Sequence, residues 1–234
     1  MSHLIDLGAP RTIVVRQGSK PESFTVEPIP EAAWFKYFDG IVSTAQRDGQ
    51  NVVQHIDAAS AGVELVNGSL AAQGIDPNAT PIGLRLGVAN VLTSAYAPEE
   101  AQKEALDFCG GDGVVLHAIW SAGENGAMRR HKSLLHVFKT PSAEQFRRYR
   151  RDDTRSHVVG GARKGTTVYH GAQRTLAALY DELILSVAGY EANADPLTDP
   201  AQIVRWMDTF HKVAAAAQLL TPAPVDIEED DEEA

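Results

Sequence analysis

The order "two β-rich runs, then helices" is written twice along this chain, and that recurrence constrains its folding more than any other feature. Thr12-Ile-Val-Val-Arg16 and Ser23-Phe-Thr-Val26 are short β-branched and aromatic runs separated by Gln17–Glu22, the pattern of an antiparallel hairpin. Val114–Trp120 and Ser133–Lys139 repeat it, joined by a Gly-containing loop from Ser121 to Lys132. Trp34 and Tyr37 then correspond to Phe146 and Tyr149 at an offset of 112, Gly74-Ile75 to Gly189-Tyr190 at 115, and Thr80-Pro81 to Asp199-Pro200 at 119. Coincidence of generic capping signals is one reading of this agreement; duplication of one unit is the reading favoured here. The expected fold is α+β and predominantly helical, with one hairpin-plus-helices unit over 1–108, a second over 109–221, and a disordered acidic tail over 222–234. Duplication also implies that the copies pack about an approximate two-fold axis.

Within each unit, apolar spacing places the helices. After Pro28 and Pro30, Trp34, Tyr37, Phe38, Ile41, Val42 and Ala45 share one face of a predicted helix that Gly49 breaks. Val52, Val53, Ile56, Ala59, Val63, Val66 and Leu70 make a second face, stopped at Gly74. Thr80-Pro81 opens a helix through Leu92, and Pro98-Glu99-Glu100 opens a shorter one to about Phe108. Cys109–Gly113 reads as a flexible joint. In the second unit, Ser142 and Gln145 form a capping box, and Thr154–Thr166 is a polar, Gly-rich interruption. A long stripe follows from Val168 and Tyr169 through Leu176, Leu179, Tyr180 and Leu183 to Ile184 and Val187, stopped by Gly189. Asp199-Pro200 opens one last helix with Ile203, Trp206, Met207, Phe210, Val213, Ala217 and Leu220 inward. Trp34, Phe38, Leu179, Leu183, Trp206 and Phe210 are the large residues expected in the core.

Function classes narrow by elimination. No run approaches the roughly eighteen apolar residues of a membrane span, and Met1–Arg11 lacks the basic-then-apolar order of a secretory leader. Cys109 stands alone, so no internal disulfide and no thiolate zinc site can form, and a reducing cytosol is the expected compartment. Gly160-Gly-Ala-Arg-Lys-Gly165-Thr166 puts its lysine before the last glycine and is expected between two helices, so it reads as a loop that cradles no phosphate. Trp120-Ser121-Ala122-Gly123 has Ile119 where a nucleophile elbow needs glycine. His131 and His136 stand five apart, one more than a helical metal pair allows. The paired acids Glu99-Glu100 and Asp152-Asp153 suit helix ends or solvent. No catalytic set, cofactor or metal is expected, and the chain reads as non-enzymatic.

Charge is where the sequence departs from the ordinary. Seven acids and no base lie between Asp226 and Glu233, so most of the formal charge of −10 belongs to the tail. Arg129–Lys164 holds eleven of the 21 lysines and arginines against three acids. Arg147, Arg148, Arg150 and Arg151 spread over the exposed side of the helix from Ala143, and Arg155, Arg163 and Lys164 extend the charge. Arginine forks suit phosphate and carboxylate alike. This face could dock nucleic acid or an acidic protein segment, lie solvated with no partner, or receive the chain's own tail.

The Thr12-Ile-Val-Val hairpin, Phe24-Thr-Val26, and Pro28-Ile-Pro30-Glu31 leading into a helix anchored by Trp34 resemble the small tail-assembly chaperones of long-tailed bacteriophages. About forty residues carry the resemblance. It implies a cytosolic morphogenesis factor that binds tape-measure or tail-tube protein and needs no cofactor. The duplication and the acidic tail depart from the simplest form of that family and leave stoichiometry, including self-association, open. A nucleic-acid-binding protein using Arg129–Lys164 is the alternative.

Overall fold

The computed structural model describes residues 5–17, 20–48, 51–93, 106–109, 113–116, 120–122, 128–130, 134–153, 156–159, 166–169 and 172–220. They form a helix-rich α+β fold, as the sequence predicts, with seven α-helices and several small sheets among them.

After a two-residue strand β1 (Ile5–Asp6), β2 (Arg11–Gln17) and β3 (Lys20–Val26) pair from Arg11↔Val26 to Gln17↔Lys20, a tighter hairpin than the Gln17–Glu22 loop implied. Ile13 and Val26 are buried against Val66, Leu70, Val88, Ala89 and Leu92 of two later helices. Pro30 holds the connection extended, and α1 (Glu31–Gly40) buries Trp34, Tyr37 and Phe38. The helix ends at Gly40 and does not reach Ala45. Val42–Asp48 and Asn51–Asp57 are instead strands β4 and β5, paired from Val42↔Asp57 to Asp48↔Asn51. Val42, Thr44, Val52, Val53 and Ile56 are β-branched and stiff at χ1, so they sit better on a pleated ladder than against a helical turn.

Helix α2 (Ala59–Ala72) therefore starts later than expected and stops where expected. Gly74 has φ +74°, its N–H donates to the Ala71 carbonyl, and the Ile75 N–H donates to that of Leu70. This six-to-one and five-to-two pair of bonds is the Schellman stop that a residue without Cβ permits. Helix α3 (Ile82–Thr93) follows, its first turn bonded to the Pro81 carbonyl.

The middle of the chain corrects two expectations. Residues 94–105, which include most of the helix expected from Pro98, lie outside the described residues. Leu106–Cys109, which includes that helix's expected end, is strand β6, paired with β7 (Gly113–Leu116) from Leu106↔Leu116 to Cys109↔Gly113. The expected joint at Cys109–Gly113 thus closes a hairpin, and the division at 108/109 falls inside it. A minor ribbon, β8 (Trp120–Ala122) with β9 (Met128–Arg130), precedes β10 (Leu135–Lys139), which pairs with β7.

The capping box then forms as read. The Ser142 N–H donates to Gln145 Oε1 at 2.9 Å and the Gln145 N–H to Ser142 Oγ at 3.2 Å, opening α4 (Ala143–Asp153). Within the stretch expected to be a polar interruption, Ser156–Val159 is strand β11, paired with β12 (Thr166–Tyr169). Gly160–Gly165 lies outside the described residues, but its neighbours are two strands and not two helices. Val168 and Tyr169 thus belong to β12, and Ile184 and Val187 to β13 (Ile184–Ala188), leaving α5 (Gln173–Leu183) shorter than the predicted stripe. Gly189, at φ +88°, turns the chain into β14 (Tyr190–Ala192), which pairs with β1 and with β15 (Asp195–Pro196).

The single last helix is two, α6 (Pro200–Trp206) and α7 (Thr209–Leu220). Asp208 makes the break, because its carboxylate accepts the Phe210 N–H at 2.9 Å and so caps a new N-terminus. Five of the six expected core residues are buried, but Trp206 is only partly so, beside the break.

The succession hairpin, helix, hairpin, helix occurs twice, as β2–β3, α1, β4–β5, α2 and as β7–β10, α4, β11–β12, α5. The two runs are interlocked. Leu7 packs in the core of the second run, and the Trp34 and Phe210 rings meet at 4.4 Å between centroids. Arg174 of α5 pairs with Asp39 and lies 4.4 Å over the Phe35 ring of α1. A four-stranded sheet runs β11-β12-β4-β5, joined by Thr166↔Thr44 and Thr167↔Ser43. A two-fold axis would set like strand beside like strand. Here the second strand of one hairpin meets the first strand of the other, so these hairpins are arranged head to tail.

Candidate interaction surfaces

Three residues of the predicted basic face, Arg148, Arg150 and Arg151, are paired with acids. Arg148 reaches Glu182 of α5 at 2.7 Å, and Gln145 Nε2 donates to the other Glu182 oxygen at 3.1 Å. Partial burial pushes the Glu182 carboxyl up, but these hydrogen bonds and the Arg148 charge outweigh it and hold it below its ordinary range. Arg151 pairs with Asp152 at 3.3 Å, and Arg150 with Asp153 at 4.0 Å. Arg147 is exposed, its Nε donating to the Ala143 carbonyl at 3.1 Å. Arg155, Arg163 and Lys164 lie outside the described residues. Helix α4 therefore presents a mixed-charge surface, whose exposed pairs are individually worth only about 0–1 kcal/mol.

A different feature lies at the residues carrying the family resemblance. Pro28-Ile29-Pro30, α1 and α2 enclose an apolar groove of about 560 Å³, lined by Ile29, Ala33, Tyr37, Ala61 and Leu65, with Glu27, Lys36 and Glu64 at its rim. The prolines hold the entering chain extended, and Trp34 and Phe38 anchor α1 from behind with Phe210. Gly68 of α2 borders the groove with open space where a Cβ would stand. An apolar concavity with a sparse charged rim is the form taken by grooves that accept a hydrophobic peptide segment. Sequence reading identified the aromatic anchors but not the groove, which exists only once α1 packs on α2.

His136 and His211 join one buried hydrogen-bonded chain. His136 Nδ1 meets the Tyr180 hydroxyl at 2.9 Å, His136 Nε2 the Tyr190 hydroxyl at 2.9 Å, and the Tyr190 hydroxyl His211 Nδ1 at 3.0 Å. Exposure of the four side chains ranges from 0% to 2%, so these hydrogen bonds are shut off from solvent. Burial, with a smaller contribution from His211, lowers the His136 pKa to about 3, so its ring is neutral. Burial likewise raises both tyrosines well above their ordinary range. One sequence signal was available: Leu134, His136 and Phe138 alternate on one face of a strand, which turns His136 inward with its apolar neighbours.

Among the described residues, no three His, Cys, Asp or Glu side chains are grouped to hold a metal ion, and no helix is long and apolar enough to cross a membrane. Comparison with known proteins finds no matching family model, no matching curated protein and no matching solved structure.

Proposed function

We propose that this chain is a phage-type assembly or structural interaction protein, acting without catalysis in the host cytoplasm as tail-assembly chaperones do. The observation that carries the reading is the apolar groove along Pro28–Pro30, α1 and α2, the segment where the family resemblance lies. Its partner is an apolar stretch of a tail protein, tape-measure or tail-tube, held soluble until assembly. The basic face supports the alternative of nucleic-acid binding less well, because Arg148, Arg150 and Arg151 are already engaged by acids.

Co-expression with the tape-measure and tail-tube proteins of the same gene neighbourhood tests this. The chain should keep one of them soluble and co-purify with it. Gly68→Arg adds a long charged side chain beside the groove at a position where its Cβ meets no atom within 4 Å, and arginine favours a helix more than glycine does. That variant should melt no lower than the wild type yet lose the partner. Failure to retain either protein, or retention untouched by Gly68→Arg, would overturn the reading. Salt-sensitive DNA binding lost in Arg147→Ala/Arg150→Ala would favour the alternative.

A further inference from the structure

The sheet that joins the two runs has a directional order. Its strands run β11-β12-β4-β5, all antiparallel, so β5 and β11 are its outer strands. Neither has a pairing on its far side among the described residues. Proteins usually guard such edges with proline, lysine or a bulge. Asn51-Val-Val-Gln-His-Ile-Asp57 and Ser156-His-Val-Val159 contain neither proline nor lysine, and the β4–β5 and β11–β12 ladders have continuous register. Both outer strands therefore offer a regular row of N–H and C=O groups.

We infer that copies of this chain associate head to tail, β5 of one molecule pairing with β11 of the next. The geometry is already present inside the chain. At the β12·β4 junction the second strand of one hairpin pairs antiparallel with the first strand of the other. Pairing β5 with the β11 of a neighbour sets a second strand against a first strand in the same antiparallel sense, so the sheet continues by repeating a relation it contains. A contact between two different edges is heterologous, and it propagates into a closed ring or an open filament, never into a two-fold dimer. The internal junction has two register pairs and β11 has four residues, so each contact is small. Assembly should therefore depend on concentration and gain stability when a ring closes, because every copy is then held at both edges. The inference goes beyond the proposed function and stands on the sheet order and its two unguarded edges.

Sedimentation velocity and native mass spectrometry of the full chain over a concentration series test it. The wild type should grow past a dimer as concentration rises. Backbone N–H groups alternate between the two sides of a strand, so one of Val53→Pro and Gln54→Pro removes an outward donor and the other a ladder donor. The same holds for His157→Pro and Val158→Pro. In each pair, the variant that melts closer to the wild type is the one blocked at the free edge. Each edge-blocked protein alone should be monomeric, and an equal mixture of the two should form one heterodimer that grows no further. A wild type that stays monomeric or stops at a dimer, or a β5-blocked protein that still self-associates, would overturn the inference.

Discussion

Ala194 is one of two non-glycine residues with positive φ among the described residues. It and Asn193 have φ of +67° and +55°, the two central positions of the turn between β14 and β15. The left-handed region suits asparagine but costs alanine about 1–2 kcal/mol. Asp6 holds the turn by accepting the Asn193 N–H at 2.9 Å and the Ala194 N–H at 3.3 Å. Ala194→Gly should therefore stabilise the protein by about 1 kcal/mol in chemical denaturation, and a loss would refute the strain argument. Gly87 is the opposite case: a Cβ there would collide with Val15 of the hairpin packed above it. Gly87→Ala should lower the melting temperature although alanine is the better helix former. His136 sets an acid limit. Its folded pKa of about 3 lies below the ordinary 6.5, so between those values the unfolded chain binds a proton that the folded chain does not. Its contribution is complete above pH 6.5 and shrinks as the pH falls, by about 1.4 kcal/mol per unit. His136→Phe should flatten that slope while costing roughly 1–3 kcal/mol at neutral pH for the Tyr180 hydroxyl left unpaired, since Tyr190 keeps His211. Equal pH slopes for both proteins would contradict it.

At the scale of elements, Asp208 does the most to shape the C-terminal region. It caps α7, accepts from Trp34 Nε1 at 3.4 Å and lies 3.8 Å from Arg11, so one carboxylate joins β2, α1 and α7. Asp208→Ala should cost about 1–2 kcal/mol through the cap, measured by urea unfolding, and should loosen Trp34 as seen in its fluorescence. Elements with local signals were legible in the sequence. The Ser142–Gln145 box and the Gly74 stop need only nearby residues, and both form as read. The hairpins β4–β5 and β11–β12 were not legible, because residues such as Val42 and Ala45, or Val52 and Ile56, satisfy helical spacing while their β-branched neighbours favour a ladder. What decides is the pairing of Thr44 with Thr166, and a contact across that much chain leaves no local trace. The split of the last helix was hidden for a related reason. Asp208 reads as a polar residue on a helix until its carboxylate is seen to take the Phe210 N–H.

For the whole molecule, the interlocking of the two runs carries the functional argument. The groove between α1 and α2 is backed by Phe210 from the far end of the described chain, and α5 ties to α1 through Arg174. The groove is therefore a product of the complete fold. On α4, three of the four predicted arginines pair with Glu182, Asp152 and Asp153. Sequence alone showed the arginines, because charge is visible there, and hid the groove, because apolar residues lining a surface look like core. Hydrogen exchange of the full chain, with and without a tail protein of the kind proposed as its partner, separates the two surfaces directly. Docking in the groove predicts added protection over residues 27–40 and 59–72, with α4 unchanged. Protection confined to residues 143–153, or none on either surface, would contradict the account.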